Sequence, residues 1–244
     1  MDKKYELIPS DIEGLFRIKA LKDFNNVKKG DIGGYIQSEN NLSQLGDCWI
    51  HDDAVVRDNA KVCHNVQIYY EVIVMGNAEV CDNVQIYDNA IVSGNAQVCG
   101  KAIVCGKAIV CDNARIRGHA VVQHDAVVRG NAQIWGNAVI QDNAVVRGEV
   151  RIFDNVIVRD NVIIGGKADV SGDAIISSDK DYIVFKNWWS SGRYFTWTRS
   201  NNMWKVGCFY GTGEELISKA YKDSEESGRE YECIVKYVER ILKS

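Results

Sequence analysis

From Ile50 to Ile176 an aliphatic residue returns every six positions without a miss, as in Ile50, Val56, Val62, Ile68 and Val74, and onward to Ile164, Val170 and Ile176. Two positions earlier sits a small residue, such as Ala54, Ala60, Ala78, Ala168 or Ala174. Between an aliphatic and the next small residue lies a polar pair, such as Asp58-Asn59, Gly76-Asn77 or Asp82-Asn83. Six does not track the 3.6 residues of a helical turn. It reads as a short strand plus a tight corner, in which the small residue and the aliphatic face the same way. Asn, Asp and Gly tolerate the left-handed backbone that a corner needs. Three sides of six residues make a triangular coil of eighteen. The repeat therefore predicts about seven regular coils, paired as parallel strands, and a rod of about 34 Å at the usual strand spacing.

The outward positions sort by side. One side carries Lys61, Glu79, Gln97, Arg115, Gln133, Arg151 and Asp169, and is solvated. A second carries Val55, Ile73, Ile91, Ile109, Val127, Val145 and Ile163, with no polar residue. The third starts as Trp49, Gln67 and Gln85 and turns apolar from Ile103 to Ile175. An apolar ladder of this length marks an interface, either with another copy or with the chain's own C-terminal part.

This register resembles that of the hexapeptide-repeat proteins. The resemblance implies a left-handed parallel β-helix, a hand that periodicity does not supply. Just upstream, Asp23-Phe24-Asn25-Asn26-Val27, Gly33-Gly34-Tyr35-Ile36 and Gly46-Asp47-Cys48-Trp49-Ile50 are similar to the segment leading into the repeat in YdcK-like proteins, and in hexapeptide-type proteins carried by phages and prophages. The family implies acyl transfer with acetyl-CoA, and dimers or trimers, as one expectation. The phage-type likeness implies a non-catalytic accessory factor recognising a host protein, as another.

Around the rod the chain divides into three. Residues 1–47 read as a cap and a first irregular coil, with short strands near Tyr5–Ile8 and Phe16–Leu21. Leu42 to Ile50 is eight residues, so two extra residues precede the regular register. Residues 48–178 are the repeat. Residues 179–244 form an aromatic-rich α+β module. In it Arg193–Arg199 and Met203–Phe209 predict a hairpin about Ser200-Asn201-Asn202. Thr212-Gly213-Glu214-Glu215 opens a helix as a capping box. Ser227-Gly228 is expected to end it before a second amphipathic helix from Tyr231 to Leu242. The fold class is mostly β.

Composition narrows the functions. A net charge of −4 and a pI near 5.6 argue against a nucleic-acid polyelectrolyte and a polybasic membrane patch. The polar start Met1-Asp2-Lys3-Lys4 and eight cysteines lead to the expectation of a cytoplasmic protein with free thiols, in a bacterial host if phage-encoded. Cys63, Cys81 and Cys99 stack at eighteen-residue spacing, which suits small apolar packing better than a tetrahedral metal site, and no metal is expected.

Acyl transfer needs a histidine base. The chain has four histidines; His64 and His124 replace Gly or Asp at a corner, and His119 replaces Asn. His119 and His124 are the candidate bases, with corner substitution as the plainer reading, and no hexad is interrupted by a substrate-framing loop. The second candidate is a small anionic ligand held by the tail, where Arg193, Trp197, Arg199, Trp204, Lys205 and Thr212 combine cations, stacking surfaces and a helix start. The plainer reading there is that the aromatics are the module's own core and its contact with the rod. These features favour a binding or scaffold protein that needs no cofactor, with an acyltransferase as the alternative.

Overall fold

The computed structural model describes residues 3–243; Met1 and Asp2 of the polar start and Ser244 of the C-terminal module lie outside the described residues. Its centre is a parallel β-solenoid of about eight turns, formed by three sheets. Each two-residue strand pairs with the strand eighteen residues on, as Ile91 with Ile109 and Val92 with Val110. The amide of Ile91 donates to the carbonyl of Ala108 at 2.9 Å, and the pattern recurs coil after coil. Inward residues such as Ala78, Val80, Ala96 and Val98 are fully buried in one continuous core. Each buried Val or Ile stabilises by about 1.5–3 kcal/mol, so the repeat is its own driving force.

The corners explain the polar pairs. The first residue of each pair is left-handed, as in Asp58 (φ 57°), Asp82 (φ 67°) and His124 (φ 60°). Where that residue is Asp or His, its side chain in most coils accepts a hydrogen bond from the backbone amide one coil later. Asp82 accepts from Gly100 at 3.0 Å, and Asp112 from Gly130 at 3.0 Å. The second residue stacks as an amide ladder. Asn59, Asn77, Asn95, Asn113 and Asn131 pass hydrogen bonds of 3.0–3.2 Å down one corner.

The first coil is irregular. The strand β3 (Ile32–Ile36) pairs in parallel with Val55–Val56, Ile36 opposite Val56. Leu42 bridges Val62. Both steps are twenty residues, because two extra residues lie between Leu42 and Ile50. This coil brings the count to about eight turns, where the regular register alone predicts seven. Ahead of it, β1 (Tyr5–Pro9) and β2 (Phe16–Ala20) pair antiparallel with each other and onto β3. They close the open end. Lys4, only 1% exposed, donates to the carbonyls of Cys48 (2.9 Å) and Gly46 (3.2 Å), and the Tyr5 hydroxyl donates to the Leu42 carbonyl at 2.6 Å. Burial lowers the Lys4 pKa against the pull of Cys48.

The C-terminal module is larger than a hairpin. Four antiparallel strands, Tyr182–Lys186, Tyr194–Thr198, Met203–Val206 and Phe209–Gly211, form one sheet. The first was not expected, since Tyr182–Lys186 has no clean alternation. It is held in place because Tyr182 and Val184 pack against the solenoid core. Helix α1 (Gly213–Asp223) starts on the Thr212–Glu215 capping box. Helix α2 (Glu225–Lys243) starts sooner than expected. The chain breaks at Ser224, which is extended (φ −168°, ψ 157°), and Gly228 lies inside α2. A Cβ at Gly228 would sit 2.2 Å from the Tyr221 ring, so the glycine permits close helix contact and does not end a helix.

A candidate anion cleft between the solenoid and the C-terminal module

The module docks on the polar side of the last coils. Asp169 N–H donates to Thr196 Oγ1 at 2.9 Å, and Ile175 N–H to Ser200 Oγ at 2.7 Å. Asn201 bonds Asp173 at 2.9 Å. Lys205 stands over the Phe153 ring, 5.2 Å from its centroid, and Lys167 over Tyr194 at 5.6 Å.

Between the two parts lies a cleft of about 780 Å³, in the range of small-ligand sites. Its solenoid wall is Asn131, Gln133, Glu149, Arg151 and Lys167; its module wall is Gly192, Arg193, Tyr194, Gly207 and Cys208. The solenoid wall is the continuation of two ladders. The Asn corner ends at Asn131, and the next two members are Glu149 and Lys167, which pair at 3.1 Å. On the polar side, Arg151 Nη2 donates to Asp169 Oδ2 at 2.6 Å. Asp169 is 4% exposed, and its other oxygen has no hydrogen-bond partner among the described residues. Burial raises the Asp169 pKa, opposed by Arg151 and Lys205. Asp169 thus anchors Arg151 from behind while the guanidinium reaches the cleft. Arg193 makes no ion pair among the described residues, so the cleft holds a free guanidinium beside two anchored cations.

Of the six tail residues expected to hold a ligand, Arg193 lines this cleft and Lys205 stands near it on Phe153. Trp197 and Trp204 are 1% and 2% exposed and belong to the module's core, where Phe195 and Tyr231 join them. Thr212 is spent on the cap of α1. Arg199 is exposed, with its amide bound to the Asp181 carbonyl. Arg151 and Lys167 were missed as site residues. The signal was present, because the corner run of asparagines changes to Glu149 and Lys167 at the coils that meet the module.

Two of the four histidines, His64 and His124, serve the corners. His124 Nδ1 lies 3.3 Å from the Asp142 amide and 2.9 Å from Asp142 Oδ1. Neutral, it accepts the amide as an aspartate would; protonated, it donates to the carboxylate. His64 repeats this with Asp82, at 3.2 Å from the amide. His119 is exposed at the second corner position. His51 is half-buried, stacked on Tyr69 (4.2 Å, 11°), with Nε2 2.9 Å from Gln67 Oε1. The Gln67 amide nitrogen donates to the Asp47 carbonyl at 2.7 Å, which turns Oε1 toward His51 and makes Nε2 the protonated nitrogen.

His64 Nδ1, Cys81 Sγ and an Asp82 carboxylate oxygen lie within 4.8 Å of one another, a grouping that the cysteine spacing did not reveal. The Nδ1 lone pair already receives the Asp82 amide, and burial pushes the Cys81 thiol up to about 12. Those partners favour the corner ladder over metal ligation.

The apolar ladder from Val55 to Ile163 faces outward on the sheet that carries β3. Ile163 is 45% exposed, and the other six are half-buried in the single chain. No helix among the described residues is long and apolar enough to cross a membrane.

Fold and corners together define a parallel β-solenoid built on a six-residue repeat. Two stretches of it, residues 84–100 and 132–148, match the family described as YdcK beta solenoid repeat. A stretch of 55 residues is 42% identical to the uncharacterized acetyltransferase YdcK of Escherichia coli (strain K12). That stretch is 22% of this chain and 17% of the relative.

Proposed function

We propose that this chain is a binding protein that takes a small anionic ligand in the cleft between solenoid and module, and that it works as a homo-oligomer. The observation that carries the reading is the convergence of Arg151, Lys167 and Arg193 on one cleft, with Arg193 unpaired among the described residues. Guanidinium groups form charge-assisted, bidentate bonds to phosphate and carboxylate. Two of the three cations are held from behind by Asp169 and Glu149, so little side-chain ordering remains to be done on binding. Self-association uses the Val55–Ile163 ladder, an apolar face that a second identical face would cover about a twofold axis.

Calorimetry with inorganic pyrophosphate tests the cleft. Wild type is expected to bind. Arg193→Gln is expected to weaken binding about tenfold, with an unchanged circular dichroism spectrum. No heat with wild type removes the reading.

The name of the relative supports a second reading, acyl transfer from acetyl-CoA. Its base would be His124, whose Nδ1 meets Asp142. Against it stands the same contact, which gives His124 a structural task on an exposed corner away from the cleft. Acetyl-CoA turnover that disappears in His124→Asp would favour this reading over the first.

A further inference from the structure

The solenoid carries a second cavity beside the cleft, of about 470 Å³, lined by Arg115, Arg117, Gln133 and Trp135 among others. Gln133 lines both, so the two form one continuous surface. Trp135 and Phe153 occupy the same outward position one coil apart. Their rings stack at 4.8 Å and 2°, and Lys205 covers the far side of the column at Phe153. The opposite face of Trp135 has no aromatic or cationic partner among the described residues. The ladder position above it belongs to Arg117, whose guanidinium forms neither an ion pair nor a ring contact there. Arg115 also lacks an ion pair among the described residues. The half-buried Trp135 thus lines a cavity together with two cations free of ion pairs, next to a cleft lined by three more.

We propose that the ligand of the cleft is a nucleotide, whose base stacks on the open face of Trp135 while its phosphates lie toward Arg151, Lys167 and Arg193. This rests on the anion-cleft reading above. Geometry supports it in three ways. The ring column backed by Phe153 holds Trp135 flat and fixed, which is what a stacking platform requires. The step from Arg117 to Phe153 is two coils, about 10 Å at the strand spacing, within the span of a nucleoside triphosphate. Arg115 and Arg117 flank the slot and can meet a ribose phosphate or the edge of a base.

Calorimetry with ATP and with tripolyphosphate, on the full chain, separates the two readings. Wild type is expected to bind ATP about tenfold more tightly than tripolyphosphate, the usual worth of one base stack. Trp135→Leu is expected to abolish that advantage and leave tripolyphosphate affinity unchanged. Trp135→Phe, which keeps a ring in the column, is expected to retain most of it and guards against a folding artefact. Equal affinity for ATP and tripolyphosphate overturns the nucleotide inference and leaves the anion cleft standing. An ATP preference that survives Trp135→Leu overturns the placement of the base. Binding of neither removes both readings. An oligodeoxythymidine bound more tightly than ATP would assign the surface to a nucleic-acid strand and overturn the inference.

Discussion

The backbone N–H of Asp169 donates to the hydroxyl of Thr196 at 2.9 Å, at the place where the solenoid runs out of coils. Everywhere earlier on this side the outward amide meets a carbonyl seventeen residues on, as Arg151 meets Ala168 at 2.9 Å. For Asp169 there is no next coil. The hydroxyl of Thr196 takes that role, and Ser200 does the same for Ile175 at 2.7 Å. The module is therefore an end cap by hydrogen bonding as well as by packing, which keeps the last strands from presenting an open edge.

Replacing Thr196 with Val keeps the shape and strands the Asp169 amide. The expected cost is about 1–3 kcal/mol, read from urea denaturation, with Thr196→Ser close to wild type. A Thr196→Val protein as stable as wild type would show that the hydroxyl does not terminate the ladder.

His124 is expected to be replaceable by Asp without loss of stability. Asp142, one coil later, already does the same job by accepting the Asp160 amide at 3.2 Å. His124→Leu leaves the Asp142 amide without its acceptor and is expected to lower the melting temperature. Equal melting temperatures for the Asp and Leu variants would count against the corner role.

His51 gives the stability a pH dependence. Burial lowers its pKa from 6.5, with the Gln67 hydrogen bond opposing. Above pH 6.5 both folded and unfolded chains carry the neutral ring, and the group costs nothing. Below it the unfolded chain binds a proton that the folded chain resists, so stability falls as pH drops through 6.5 toward the folded value. Denaturation midpoints between pH 7.5 and 5.5 should fall, and His51→Gln should flatten that slope.

A charge in the middle of the apolar ladder should split the assembly. Val127→Lys is expected to sediment as a monomer with an unchanged circular dichroism spectrum, while wild type sediments as an oligomer. Wild type that sediments as a monomer at micromolar concentration ends the proposal of self-association.

The solenoid was legible because each coil contacts only its neighbours, so a local rule repeated is a global structure. Ala and Val at fixed spacing, with Asp-Asn or Gly-Asn between, required the same strand and corner each time. The site was less legible. Arg193 and Lys205 could be picked out among aromatic neighbours, but Trp197 and Trp204 could not be told from core residues, since an alternating strand presents one face inward whichever way its sheet docks. Gly228 misled because a glycine in a polar run reads as a break, while here it admits the Tyr221 ring.

By itself, the sequence determined the six-residue strand-and-corner unit, the eighteen-residue pairing and the division of the rod into polar and apolar sides. Burial and left-handed corner backbones are local demands, and residue type answers them directly. The tertiary structure decided which side the module covers. That choice depends on whether Thr196, Ser200 and Asn201 can meet the unpaired groups of the last coil at once. Only when they do are Arg151 and Lys167, set by the solenoid's ladders, brought opposite Arg193, set by the module's sheet.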